Sequence, residues 1–319
     1  MLDTARRLGY AGPDPIARSL RTRQTGAIGL IFTEALSYAF RDPASVAFLE
    51  GLALACEQAG MGLLLVPEAP AARNDPAIVH RSSVDGFVVY SMPDDDPYLT
   101  AVLQRPVPAV VVDEPVGVTG VDWVGVDDRA ACAEVGRHLA GLGHCQVGVI
   151  SSRMATTLYD GPADLRRQLG SRYAVERLRL AGLADGLATG GVERSDIPVE
   201  ERFYNASAAG RSAASALLDR YPDLTAIACT SDVFALAALE VARARGLRVP
   251  EDLSVTGFDD VPEAAAAGLT TVHQPMLEKG RVAGSLLLDE DERPAARRVV
   301  LATELMIRTS TGPARPPAT

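Results

Sequence analysis

The sequence predicts an α/β protein with two parallel sheets of about four or five strands each, covered by helices on both faces. Three observations carry that expectation. Short, continuous apolar or β-branched runs alternate with longer amphipathic segments along almost the whole chain, the pattern of strands buried on both faces. Glycines and aspartates fall where helices of that pattern should end and begin. The length, 319 residues, suits about two domains, and two sheets of ordinary width fit it better than one very wide sheet.

Strands are read at Ala27–Phe32, Gly62–Val66, Gly86–Tyr90, Ala109–Val112, Val124–Val126, Val147–Ile150, Ala226–Cys229 and Ser254–Phe258. Helices are read at Val46–Gln58, Ala130–Leu142, Val175–Leu187, Ala206–Leu218 and Val233–Arg245. Gly60, Gly143 and Gly246 each follow a helical run, where a left-handed cap is needed. Asp127 and Asp232 stand just before helices, where a side-chain oxygen can accept orphan backbone N–H groups. Three segments break the pattern. Residues 1–24 are basic and rich in Gly and Pro, with a short helical stretch at Ile16–Leu20. Residues 152–174 are polar and aperiodic, and the tail from Gly312 carries Pro313, Pro316 and Pro317. No solenoid-type repeat is present.

Hydrophobic residues make up 47% and charged residues 23%, ordinary for a folded soluble protein. No stretch approaches the roughly 18 uninterrupted apolar residues of a membrane helix. The net charge of −10 excludes a broad basic nucleic-acid surface on the body. The first 23 residues depart from this, with Arg6, Arg7, Arg18, Arg21 and Arg23 against only Asp3 and Asp14. That is a basic arm on an acidic body. No secretory signal opens the chain, so a cytoplasmic protein is expected. Cys56, Cys132, Cys145 and Cys229 lack paired spacing and fall in apolar runs, and all four are expected as reduced core thiols.

Local catalytic signals are missing. The single lysine, Lys279, precedes a glycine in a context that forms no phosphate loop. There is no G-x-S-x-G elbow, and His80, His138, His144 and His273 show no metal spacing. The acidic runs Asp94–Asp96 and Asp289–Asp291 read as solvated turns. No enzyme activity, cofactor or metal is expected. The informative feature is positional. Asp259 and Asp260 follow the strand Ser254–Phe258, Asp113 follows Ala109–Val112, and Ser231 and Asp232 follow Ala226–Cys229. Ligands of open α/β sheets bind outside the carboxyl ends of strands, so these groups outline a shared crevice; singly, each also reads as a cap or turn residue.

Several segments resemble the LacI-type (lactose/galactose repressor) family of bacterial transcription regulators. "RRLGYAGPDPIARSLRTRQTGAIGLIF" (Arg6–Phe32) looks like the end of a DNA-binding domain, a hinge helix and the first strand of an effector domain. "VDGFVVY" (Val84–Tyr90), "GRHLAGLGHCQVGVI" (Gly136–Ile150), "RLRLAGL" (Arg177–Leu183), "GLRVPEDLSVTGFDD" (Gly246–Asp260) and "LTTVHQP" (Leu269–Pro275) fit the family in order. The resemblance implies two Rossmann-like lobes of the periplasmic-binding-protein type plus a short N-terminal hinge segment. Three crossovers are expected, near Val126, near His273–Gln274 and near Ala302–Glu304. The implied division is 1–24 for the remnant DNA-binding domain and hinge, 25–126 plus 275–302 for one lobe, and 127–274 plus 303–319 for the other.

The resemblance also implies roles. Arg179 matches the effector-contacting arginine and Asp259 the effector-contacting aspartate, a forked donor and a double acceptor suited to hydroxyls of a sugar or polyol. A structural ion pair between the two is the alternative. Asp113 and Asn205 match weaker pocket positions, and Ser231 stands where many relatives carry Asn. Tyr38 and Phe40 offer a stacking face for a sugar ring, or serve as core aromatics. Leu20 matches the hinge leucine that wedges into the minor groove, with Arg18 and Arg21 beside it on phosphates. The recognition helix of the helix-turn-helix is not in the sequence. The implied function is a ligand-responsive repressor, homodimeric through the helix Val46–Gln58, with a small carbohydrate effector and operator DNA as partners and no membrane association. A sugar-binding protein of a transport system, and a headless regulator acting through protein partners, are the alternatives.

Overall fold

The computed structural model describes residues 24–33, 36–67, 75–289 and 295–316. Elements run β1 (Ala27–Phe32), α1 (Leu36–Ala39), α2 (Pro43–Ala59), β2 (Gly62–Pro67), α3 (Ala77–Arg81), β3 (Gly86–Tyr90), α4 (Pro97–Leu103), β4 (Ala109–Val112) and β5 (Asp122–Val126). They continue with α5 (Asp128–Gly141), β6 (Val147–Ser151), β7 (Gly161–Pro162), α6 (Leu165–Leu169), α7 (Ala174–Leu187), β8 (Val199–Glu201), α8 (Ser207–Arg220), β9 (Ala226–Cys229) and α9 (Asp232–Ala244). The last are β10 (Ser254–Asp259), α10 (Pro262–Ala266), β11 (Thr270–His273), α11 (Met276–Leu288), β12 (Arg298–Leu301) and β13 (Glu304–Met306).

Two sheets result, in the orders β12-β5-β4-β3-β1-β2 and β13-β11-β10-β9-β6-β8-β7. All pairings of the first are parallel. In the second only the edge strands β13 and β7 run antiparallel. The chain passes between sheets after β5, after β11 and after β12, the three crossovers that the resemblance implied. Both sheets are wider than expected, because β7, β8 and β11 to β13 are too short or too mixed to announce themselves. The helix α11 also escaped notice. Its "MLEKGRVAGSLLL" contains two glycines and a lysine, yet it packs tightly on α2. A Cβ on Gly280 would collide with the Phe48 carbonyl, and one on Gly51 with the Leu277 carbonyl, so the backbones of the two helices touch.

Continuous apolar strands form the centre of each lobe, with Phe32, Phe48 and Phe87 fully buried in the first and Phe203, Phe234 and Phe258 in the second. Several local expectations need correction. Cys56, Cys132 and Cys229 are buried free thiols, but Cys145, in the turn before β6, is exposed. Asp127 caps α5 through the Ala130 N–H, whereas α9 is capped by Ser231. The Asp232 carboxylate instead accepts from Val261 N–H and Thr271 Oγ1. Nor is the first acidic run a solvated turn. Asp96 is buried and caps α4, and the carboxylate of Asp94 reaches Arg177. Residues 152–174 contain β7 and α6 at the sheet edge. No helix among the described residues is long and apolar enough to cross a membrane.

Candidate functional site

The carboxyl ends of β1, β3 and β4 face those of β6, β9 and β10 across a cavity of about 140 Å³. Its walls are built from residues that directly follow strands: Thr33, Ser91, Asp113 and Glu114 on the first lobe, and Ser152, Arg153, Thr230, Ser231 and Gln274 on the second. Asp259, the last residue of β10, completes the ring. Side chains aim inward because the backbone turns sharply there. Asp113 has φ 62° and Asp259 φ 122°; the second lies outside the small left-handed region open to non-glycine residues. Such conformations persist only when their surroundings hold them.

A chain of buried polar bonds does the holding. Lys279 Nζ, fully buried on α11, donates to Asp113 Oδ1 and Oδ2 at 2.7 and 3.0 Å and to Gln274 Oε1 at 2.7 Å. Gln274 Nε2 donates to Asp259 Oδ1 at 2.6 Å. The Arg179 guanidinium lies 3.6 Å from the centroid of the Phe258 ring. It donates through Nε to Asp128 Oδ1 at 2.8 Å and through Nη1 to the Thr230 carbonyl at 2.7 Å. Burial opposes its charge, but Asp128, Asp259 and Glu176 outweigh that and raise its pKa. Burial raises Asp259 well above the carboxylate range, against the pull of Arg179.

The lobes also touch directly. Arg153 Nη2 donates to the Thr33 carbonyl at 3.0 Å, and Asn205 Nδ2 to Tyr38 Oη at 3.0 Å. The Val175 N–H donates to Glu114 Oε2 at 2.9 Å, while Ser91 Oγ donates to its other oxygen. Burial pushes Glu114 up to about 8, outweighing these two hydrogen bonds, with Glu176 and Asp113 adding to the rise.

With this geometry in view, the comparisons with known proteins are decisive. The model of the periplasmic binding protein-like domain matches residues 137–311. An HTH-type transcriptional regulator of Mycobacterium tuberculosis is 45% identical over 98% of this chain and 88% of that protein. The chain belongs to the LacI family of transcriptional regulators. Among solved structures, a LacI-family regulator from Corynebacterium glutamicum superposes with a TM-score of 0.81 at 34% identity, over 98% of this chain and 89% of that one. A CelR–cellobiose complex superposes with a TM-score of 0.76 at 27% identity, over 96% and 94%. The relatives are transcriptional regulators and not enzymes.

In this LacI-family chain, Arg179, Asp259, Asp113, Asn205, Ser231 and Tyr38 all line the one cavity. Arg179 and Asp259 are not hydrogen-bonded to each other; each has its own partner, Asp128 and Gln274. Phe40 does not join them. It is 63% exposed in the turn after α1, because residues two apart on a helical turn point in nearly opposite directions, and Tyr38 takes the inward one. Leu20, Arg18 and Arg21 lie outside the described residues. Sequence reasoning missed Glu114, Arg153 and Gln274, which the strand-end rule that picked Asp113 could have found. It also missed Lys279, which carries no motif. A larger groove, about 720 Å³, runs along the β7–β8 edge and holds none of the strand-end groups that converge on the cleft.

Lys279→Met leaves the Asp113 carboxylate without its buried counter-charge and is expected to cost about 3 kcal/mol in urea unfolding. Adding Asp113→Asn should recover much of that loss. The raised pKa of Glu114 carries a sign. From its ordinary 4.5 to about 8, the folded state binds the extra proton. The stability it contributes is therefore full below 4.5 and lost as pH rises through 8. The melting temperature of Glu114→Gln should accordingly gain on the parent protein between pH 5 and 8; a constant gap would show that Glu114 ionises normally.

Proposed function

We propose that this chain is a ligand-responsive, DNA-binding repressor whose inter-lobe cleft takes a small carbohydrate-like effector. The observation that carries the reading is the convergence of Arg179 and Asp259 on one cavity whose walls also present the Tyr38, Tyr90 and Phe203 side chains. Arg179 keeps Nη2 without a hydrogen-bond partner among the described residues, so it can donate to a hydroxyl, and aromatic surface suits the apolar face of a sugar ring. The cellobiose bound by one structural relative supports the ligand class. The relatives' role as regulators favours this reading over a transport protein.

In this reading the lobes comprise 25–126 with 275–302, and 127–274 with 303–319. Residues 1–24 link them to DNA, with Leu20, Arg18 and Arg21 at the operator, and the protein works in the cytoplasm. Dimerisation uses the first lobe. Val46 and Leu54 on α2, Leu64 on β2 and Leu277 on α11 are exposed apolar side chains on elements that pack around α2, a surface that a second copy of the chain would cover.

Fluorescence anisotropy of the full-length gene product on its operator should show an affinity change of at least tenfold on adding the cognate carbohydrate. The change should disappear in Arg179→Ala; a DNA affinity indifferent to every sugar would refute the reading. Sedimentation at micromolar concentration should give a dimer, and Leu54→Arg a monomer.

A further inference from the structure

We infer that the cleft selects an uncharged, single-ring polyhydroxylated effector, and that it rejects both disaccharides and phosphorylated or acidic sugars. The inference rests on the cleft reading above and sharpens it through two properties of the cavity, its size and the chemistry of its walls.

The cavity measures about 140 Å³. A protein cavity of about 150 Å³ holds one benzene ring, whereas pockets for drug-sized ligands start near 300 Å³. One six-membered ring fills the space between the lobes, and a second has no room while the Asn205–Tyr38, Val175–Glu114 and Arg153–Thr33 bonds are made. A disaccharide must hold these bonds broken, so closure would not accompany its binding.

The walls are acidic. Asp42, Asp113, Glu114, Glu176 and Asp259 line the space, against Arg153 and Arg179. Both arginines are already engaged with protein oxygens. The ammonium of Lys279 is turned to Asp113 and Gln274 and is not part of the cavity wall. A phosphate or carboxylate would meet no uncommitted bidentate cation, the usual basis of its recognition. Burial already opposes the charged forms of Glu114, Glu176 and Asp259 there, and it would oppose an added phosphate or carboxylate charge in the same way. Hydroxyls, by contrast, find acceptors on every side: the carboxylates of Asp42 and Asp259, the Ser91 hydroxyl and the Asn205 amide oxygen.

Isothermal titration of the chain at pH 7 tests this with three sets of probes. These are neutral pyranoses and other six-membered polyols, the disaccharides cellobiose and maltose, and the 6-phosphates and uronic acids of the single-ring probes. At least one neutral single-ring compound should bind, with its phosphate, its acid and both disaccharides weaker by roughly 100-fold or more. Discrimination against the phosphate should widen at least tenfold as the pH rises from 7 to 9, where Glu114 ionises, and should not widen in Glu114→Gln. Discrimination that stays constant over that range would overturn the electrostatic argument. A disaccharide or sugar phosphate that binds as tightly as any neutral ring, and is lost in Asp259→Asn, would overturn the inference and leave the cleft reading standing. If nothing in the panel binds, or if binding survives both Arg179→Ala and Asp259→Asn, the cleft reading falls with it.

Discussion

Lys279 Nζ stands between Asp113 and Gln274, and Gln274 reaches on to Asp259, so one buried ammonium ties the strand ends of both lobes into a single hydrogen-bonded line. A charge with no access to water is tolerated only beside a counter-charge and with its donors used. That requirement fixes where α11 sits relative to β4. It also fixes the turn after β11, where the chain passes between lobes. The strained backbone at Asp113 and Asp259 depends on the same line. Each carboxylate is aimed at the cavity by a conformation that would relax without its partner.

Around this line the cleft concentrates more acid than base. Burial lifts Glu114, Glu176, Asp128 and Asp259 above their usual range, which is how a protein sheds charge it cannot solvate. Arg179 lies over Phe258, and burial of its charge is outweighed by Asp128, Asp259 and Glu176, which raise its pKa. Opening of the lobes must break polar bonds that include those from Val175 to Glu114, Asn205 to Tyr38, Arg153 to Thr33, and Arg172 and Arg177 to Asp94. A ligand that contacts both walls of the cleft favours the closed arrangement by its differential affinity for it.

Much of the architecture was legible in advance because central parallel strands are apolar without interruption. The runs at β1, β3, β4, β6, β9 and β10 stand in the structure where the periodicity put them. Elements that escaped were those whose stabilisation is not local. β8, with sequence VEE, holds two glutamates buried by arginine pairing, and no alternation of polarity betrays it. α11 contains a fully buried lysine where a periodic reading expects an apolar residue.

The strand-end aspartates were visible from order alone, since a polar group directly after an apolar parallel strand can only project from the sheet's carboxyl edge. Composition likewise settled the acidic body and its basic arm. What folding alone decided is which of these groups meet. Asp113 and Lys279 are 166 positions apart, Arg179 and Asp128 are 51, and nothing in spacing or motif couples them. Each pair forms inside one lobe, and packing between distant segments brings its members together: α11 returns to the first lobe and lies against α2 and β4, and α7 packs along α5.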